Sequence, residues 1–480
     1  MKLQMLHANK IWHLLDRKKI NYLDLFSYFL CILFTIAGIM VSINRFWQYE
    51  VFYYDFGIFD QAIWNISQFK PPVIDHLIVG GKWIFADHFS PSIFLLSPFY
   101  WLTARSEMLL VVQAIVVGLS GIVLYKIGKH ILKNRLLSLG VLICYLLFIG
   151  LQNAVISDFH ELTVMTLPLM LTFWAIIRRK VWYYFLFLII TLGFKESTFL
   201  LGIGIGILII FLRKDWLKVG LITIALSMAW GYLSIKVIIP AFSNGFYAYA
   251  PSLSSNILDN IIAFINNPLK RETLFYSFLS FGFLPLLSPE YWFLLLQDYA
   301  TRFIGSPCCT RWGMGLHYNA QSAVILAISS MFALKRLQKT RIIFKFLPLL
   351  VVLIIGNALF LYRFKLHGPL ALAYNPAFYN HTRDFAFLND LIKIIPINAS
   401  IMTQNNIASR FAHQGVLLLK RDYENYKPDY ILMDVRLGQN QNDFFGTGDV
   451  FSILKSLQKD SRYELIYETK DQFIFRRIKK

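Results

Sequence analysis

The feature that most constrains this chain is an alternation. Apolar runs near the thickness of a bilayer's hydrocarbon core recur along it, and short clusters of Lys and Arg separate them. No charge falls between Asp24 and Arg45, for example. About 20 apolar residues span roughly 30 Å as a helix, at a rise of about 1.5 Å per residue. In lipid such runs must be helical, because no water is there to satisfy free backbone groups. Composition agrees: 56% of the residues are hydrophobic and only 16% are charged, against about 25% in a soluble domain. A polytopic α-helical protein of the cell (plasma or inner) membrane follows, multi-pass, with the lipid bilayer as its first partner. The net charge of +19 is no footprint of a nucleic-acid partner. Much of the basic charge lies in short clusters between spans, as cytoplasmic loops require.

Those clusters order the spans. Residues 1–21 carry Lys2, Lys10, Arg17, Lys18 and Lys19, which places them inside. The basic stretch is long and no small-residue cleavage site follows the first run, so Leu23–Ile43 is read as a retained helix and not a cleaved signal. It leaves the chain outside, in a long first loop over residues 44–107. There WIFADHFSPSIFLLSPFYWL is apolar but broken by Pro91 and Pro98, and is expected to form interfacial or partly inserted helices. Met108–Ile127 returns to Lys126, Lys129, Lys133 and Arg135. Leu136–Asn153 leads out to SDFHE, and Leu162–Ile177 returns to Arg178, Arg179 and Lys180. Residues 181–212 as one helix would be about 48 Å long, too long for a core of about 30 Å. They also hold Lys195 and Glu196, and a charge at mid-bilayer costs about 2.5–3.5 kcal/mol. Two short spans with that pair at their outer turn fit better. Further spans are expected at Leu217–Ile239, Thr273–Leu287, Tyr291–Ile304, Ala320–Leu334 and Ile343–Leu361. The total is about eleven, N-terminus inside and C-terminus outside.

Residues 1–362 thus form a transmembrane domain, and the pattern changes from residue 363 onward. Apolar runs shorten and charge returns. ASIMT, VLLLK, PDYILMD, YELIYETK and DQFIFRRI read as strands, and the segments between them have helical spacing. A small extracytoplasmic α/β domain over residues 363–480 is expected. No glycine-rich phosphate loop opens any of its helices, and the four cysteines show no metal or redox spacing.

Ionisable groups near membrane depth usually face an interior cavity. Here they cluster at the outer ends of different spans. YYDFGIFDQAIWN, just past the first apolar run, holds Asp55 and Asp60. Asp87 and His88 follow in the same loop. SDFHE supplies Asp158, His160 and Glu161, the short hairpin supplies Lys195 and Glu196, and GLHYN supplies His317 with Tyr318. Acids, a lysine and histidines on one face suit two tasks. A carboxylate can deprotonate a hydroxyl acceptor, and cations or a metal can stabilise a phosphate leaving group. The plainer alternative is that interfacial charges cap helices and meet headgroups. Asp158 can be an N-cap, and Lys195 with Glu196 an ion pair closing the hairpin. A divalent metal (Mg or Mn) needs Asp87–His88 and His160–Glu161 to meet in space, since no HExxH spacing is present. In the tail, TQNNIASRFAHQ places Arg410 and His413 after a strand, where a basic residue can meet a phosphate or sugar acid, or lie on a solvated face.

Taken together, YYDFGIFDQAIWN, DHFSPSIFLLSPFYWL, SDFHELT, FKES and GLHYNA resemble the integral-membrane family DUF2079 (domain of unknown function 2079). IPINASIMTQNNIASRF and KPDYILMD resemble its tail. FKES departs from the family's KED, with Ser197 where an acid stands. That family is itself similar to the GT-C superfamily of membrane glycosyltransferases, which implies a GT-C-like fold ending in an external domain. It implies transfer of a sugar from a polyprenyl-phosphate donor to an extracytoplasmic acceptor, the acceptor itself being open. The chemistry implied is in-line displacement at the anomeric carbon, with inversion. Carried over, Asp55 is the acceptor-activating base and Asp60 the second candidate. Asp87, His88, His160 and Glu161 line the site or hold a metal, and Lys195, Arg311 and His317 meet the lipid phosphate. A transporter or flippase of lipid-linked or small polar substrates is the main rival. Against it, no inverted repeat is visible, and the charges gather on one face instead of at mid-membrane.

Overall fold

The computed structural model describes residues 21–74, 81–245, 247–306, 309–436 and 447–478. The basic N-terminal segment lies outside the described residues, apart from Asn21.

Helix α1 (Tyr22–Trp47) starts where the Asn21 side chain accepts the Leu23 N–H, which satisfies one orphan donor of the first turn. At the same end Asp24 accepts from Tyr125 and Lys129, at 2.7 and 3.0 Å, and pairs with Arg135 at 3.3 Å. These bonds join the inner ends of α1, α3 (Glu107–Leu132) and α4 (Arg135–Leu147). Between α1 and α3 sits α2 (Ile58–Ser67), in the first loop. The two long helices pack closely: a Cβ at Gly118 would collide with Thr35 Oγ1. Small residues permit such approach where hydrophobic burial gives no advantage.

The expected straight span Leu136–Asn153 is instead bent by 50° between α4 and α5 (Ile149–Ile156). Phe148 is extended at the break (φ −63°, ψ 114°), and the Gln152 amide donates to the Leu146 carbonyl at 2.8 Å. That bond satisfies an acceptor near the break. Next come α6 (Glu161–Val164), α7 (Thr166–Ile177), α8 (Val181–Leu192) and α9 (Thr198–Leu212). Lys195 and Glu196 lie in the turn between α8 and α9. Then follow α10 (Leu217–Tyr232), α11 (Ile257–Ile265), α12 (Pro268–Leu279), α13 (Trp292–Phe303), α14 (Ala320–Leu337) and α15 (Arg341–Phe360). α12 stops short of the expected Leu287 because Gly282 and Phe283 turn left-handed, at φ 58° and 55°. Among the described residues, five helices are long and apolar enough to cross a membrane alone, and the bent pair makes a sixth. Residues 161–177, α8 and α9 are shorter apolar helices. α14 is buried on nearly all sides, whereas α10 and α15 expose most of their surface, as lipid-facing rim helices do.

In the first loop the apolar tail Pro91–Trp101 is a 3-10 helix and not an α-helix, with Pro91 and Pro98 removing backbone donors. It is tied to the α8–α9 turn: Ser92 donates from its N–H to the Gly193 carbonyl at 2.8 Å, and from its hydroxyl to the Ile190 carbonyl at 2.8 Å.

At the C-terminal end, strands β1 (Ile401–Thr403), β2 (Val416–Leu418), β3 (Tyr430–Asp434), β4 (Tyr463–Glu468) and β5 (Gln472–Arg477) form one sheet, in the order β2-β1-β3-β5-β4. β1 pairs parallel with β2 and β3, while β5 runs antiparallel to β3 and β4. Ile401, Val416, Leu432 and Ile474 belong to the same buried cluster as the helices, so this face of the sheet rests on the bundle.

Candidate functional site

The site begins at a π-helical turn, Tyr53–Gly57, that precedes α2. It holds Asp55 exposed. Two backbone donors beside it are taken up elsewhere. Phe52 N–H donates to Asp158 Oδ2 at 3.3 Å, and Tyr54 N–H donates to Asn405 Oδ1 at 2.9 Å. Asp158 therefore does not cap a helix: the residue before α6 is His160, which makes no side-chain cap. Burial, reinforced by the Asp55 charge, holds the Asp158 carboxyl well above the usual carboxylate range. Gln113, about two turns into α3, fixes the turn that carries Asp158. It donates to the carbonyls of Val155 and Asp158 at 3.0 and 3.1 Å and accepts the His160 N–H at 2.9 Å.

The 3-10 segment's tie to the α8–α9 turn brings the next acids together. His88 Nδ1 lies 2.9 Å from Glu196 Oε1, and Glu196 also accepts from Tyr247 at 3.0 Å. Tyr249 stacks on His88 with ring centres 4.2 Å apart and donates to Asp87 at 2.9 Å. Asp87 also faces Lys82 at 3.8 Å. Burial, then the Asp87 charge, pushes the Tyr249 phenol above its ordinary value. Tyr54 lies close enough to feel the charges of both Asp87 and Asp55, which links this group to the first loop.

Lys195 completes the network. Its ammonium meets Glu161 at 2.6 Å, and Glu161 faces His160 at 3.5 Å. Burial pulls the Lys195 ammonium down, but the carboxylates of Glu161 and Glu196 together hold it above its ordinary value. Glu196 shows the converse. Burial raises it, yet His88 and Lys195 bring it below the usual carboxylate range. The His160 ring stacks on His317 at 3.3 Å, and His317 lies against Tyr318 at 3.9 Å. Arg311 stands over Tyr249 and Tyr318, with its guanidinium carbon 5.8 and 5.9 Å from their ring centres. It is half-buried, and among the described residues no carboxylate pairs with it. Below, the buried Arg302 donates to Asn319 at 3.0 Å, and Asn319 donates to the Gly313 carbonyl at 3.0 Å. Asn153 holds the Met314 carbonyl at 2.9 Å. The Arg311–Tyr318 stretch is thus pinned from beneath.

Two sequence candidates lie in a different setting. Asp60 is fully buried and accepts from the Tyr100 hydroxyl and from His413 Nε2, the latter at 3.0 Å. His413 in turn stacks on Trp64 at 4.2 Å. Arg410 donates to the Asn389 side chain at 2.9 Å and covers the rings of Phe46 and Tyr49. Both residues join the C-terminal part to the first loop and α1. Among the described residues, no group of three His, Cys, Asp or Glu side chains is placed to hold a metal ion.

Residues 45–474 match the family signature described as "Predicted membrane protein (DUF2079)". The chain belongs to the DUF2079 family. A solved structure similar to this DUF2079 member is ArnT from Cupriavidus metallidurans, bound to undecaprenyl phosphate. Its identity to the chain is 10% and the TM-score 0.52, over 92% of this chain and 97% of that one. A likeness at that identity shows a fold shared with that structure. No curated protein sequence matches the chain.

Sequence reasoning missed Gln113, Tyr247 and Tyr249. Gln113 carried a signal, since a glutamine inside a long apolar helix is costly unless it serves neighbours. The two tyrosines, in an aromatic loop over 247–249, carried none, because interfacial tyrosines are ordinary in membrane proteins.

Proposed function

We propose that this DUF2079 protein is a GT-C-type membrane glycosyltransferase, acting on a polyprenyl-phosphate-linked sugar at the extracytoplasmic surface. One observation carries the reading. An exposed aspartate with no hydrogen-bond partner among the described residues stands beside a dense network that ends in an unpaired guanidinium. The pairing suits a base and a phosphate clamp. Asp55 takes the proton of the acceptor hydroxyl as its oxygen attacks the anomeric carbon. The bond from that carbon to the phosphate oxygen breaks, and its electron pair leaves with the phosphate toward Arg311, with Lys195 behind it. Attack opposite the leaving group inverts the anomeric centre. Burial makes Asp158 keep its proton more readily than an ordinary carboxylic acid. On the sidedness that the basic clusters between spans imply, this chemistry lies at the outer leaflet. A divalent metal, if bound, would supply charge stabilisation to the phosphate, but no residue group among the described residues is placed to hold one.

A transporter or flippase would instead keep its polar site near the midplane. The test is a panel of polyprenyl-phosphate sugars incubated with purified protein and a hydroxyl acceptor, with the product anomer read by NMR. Inverted product is expected from at least one donor. Arg311→Gln is expected to raise the KM for that donor about tenfold or more, as loss of a charge-assisted bond of about 1.5–3 kcal/mol implies. Retention of configuration, or an unchanged KM, contradicts the assignment.

A further inference from the structure

His160 and Glu161 stand at the start of the helical stretch that ends in α7, and Lys195 and Glu196 precede α9. The far ends of those same helices hold a separate feature. A cavity of about 290 Å³ opens there, lined by Phe173 and Ile176 of α7, Leu208 of α9 and Phe332 of α14. Its polar lining is Arg179, Arg213, Lys214, Asp215 and Tyr291. Three cations against one acid leave a surplus of positive charge. Asp215 is engaged at the rim with Arg179, at 3.7 Å with both side chains largely exposed. Arg213 is held less exposed. It donates to the Ile177 carbonyl at 3.2 Å and its guanidinium lies 5.7 Å from the Trp216 ring. Tyr291 is almost wholly buried, at 1% exposure, and among the described residues its hydroxyl has no hydrogen-bond partner. A phenol lining a cavity can donate to an acceptor placed within it.

We propose that this cavity binds a phosphate group at the inner, basic face, separate from the outer site. Three observations converge on that chemistry. The surplus charge calls for an anion. An arginine fork and a phenol are donors that a multi-oxygen acceptor satisfies together. Phe173, Ile176, Leu208 and Phe332 give the cavity apolar walls, and an apolar wall beside a donor strengthens its bond to an anion. Ordinary positive-inside residues sit in solvated loops and need no cavity. Basic pockets between helices at this face suit phospholipid headgroups, and a soluble phosphate from the cytoplasm carries the same chemistry.

Native mass spectrometry of the full chain in detergent tests this. The protein is titrated with phosphatidylglycerol and, separately, with phosphatidylcholine, and inorganic pyrophosphate is the soluble competitor. Preferential retention of phosphatidylglycerol, undisturbed by pyrophosphate, supports the site with a lipid as its source. Direct adduction of pyrophosphate without lipid preference supports it with a soluble source. Arg213→Gln is expected to weaken retention about tenfold or more, and Tyr291→Phe about threefold. Lys345→Gln, an exposed basic position on α15 away from the cavity, is expected to change nothing. Tyr291→Phe keeps the ring and decides the matter if Arg213→Gln does not fold. Equal retention of both lipids with no pyrophosphate adduct overturns the proposal, as does Tyr291→Phe binding like the unaltered chain.

Discussion

Asp55 and Asp60 lie on consecutive turns of one short stretch, and they end in opposite surroundings. Asp55 is exposed on a π-helical turn, and among the described residues its carboxylate has no hydrogen-bond partner. Asp60, little more than a turn on, is sealed against Tyr100 and His413. The first is available to substrate. The second holds the C-terminal part to the first loop. The difference teaches that a carboxylate's task is set by what the fold places against it, since the two groups have the same intrinsic chemistry. The same contrast runs wider. The outer network around Lys195 is itself largely buried and has the more exposed Asp55 and Arg311 at its edge, while Asp60 has no exposed acid beside it in its contacts with Tyr100 and His413.

Substitutions can break or sharpen that contrast. The largest stability effect is expected where the network itself is most buried. Glu161→Ala leaves the Lys195 ammonium without its 2.6 Å partner, and removing one member of a buried pair costs about 3–5 kcal/mol. Thermal unfolding in detergent should show it as a large fall in Tm. A Tm near that of the unaltered protein would mean the pair is solvated, and the network looser than described. Asp60→Asn comes next. It weakens the bond to His413 and is expected to lower stability by about 1–3 kcal/mol, while turnover per folded molecule stays near normal. Turnover lost with stability intact would erase the distinction between the two aspartates.

The smallest effect concerns pH. Burial raises the carboxyl of Asp158 above its ordinary value of 3.8. Its contribution is therefore fully present below that value and is lost as pH rises through the folded pKa. Glu196, lowered from 4.5, acts in the opposite sense, contributing above that value and losing its effect as pH falls. Asp158→Asn is expected to flatten the alkaline-going loss in a Tm-against-pH series, and Glu196→Gln the acid-going one. Curves that keep their slopes in both variants would show that neither shift operates.

Much of the bundle was legible in the sequence because lipid permits few backbone solutions. The interruption of residues 181–212 by Lys195 and Glu196 marked the α8–α9 turn. The strand-like runs ASIMT, VLLLK, PDYILMD, YELIYETK and DQFIFRRI each contain an observed strand. The bend at Phe148 was not legible, since no proline or charge marks it and it depends on packing against distant residues. Nor was the 3-10 geometry of Pro91–Trp101, where prolines announced a break without saying what replaced the helix. Within the site, residue types showed which groups were out of place in lipid. They did not show that Asp60 turns toward Tyr100 while His88 reaches Glu196, because those contacts join positions 40 and 108 residues apart.

The central claim is that Asp55 is the base of a phosphate-releasing transfer. The most direct measurement compares purified Asp55→Asn with the unaltered protein for two quantities, binding of a polyprenyl-phosphate sugar and its turnover. The account predicts binding within about twofold and turnover reduced about 10²–10⁴-fold, the usual contribution of a general base. Equal turnover in the two proteins would contradict it.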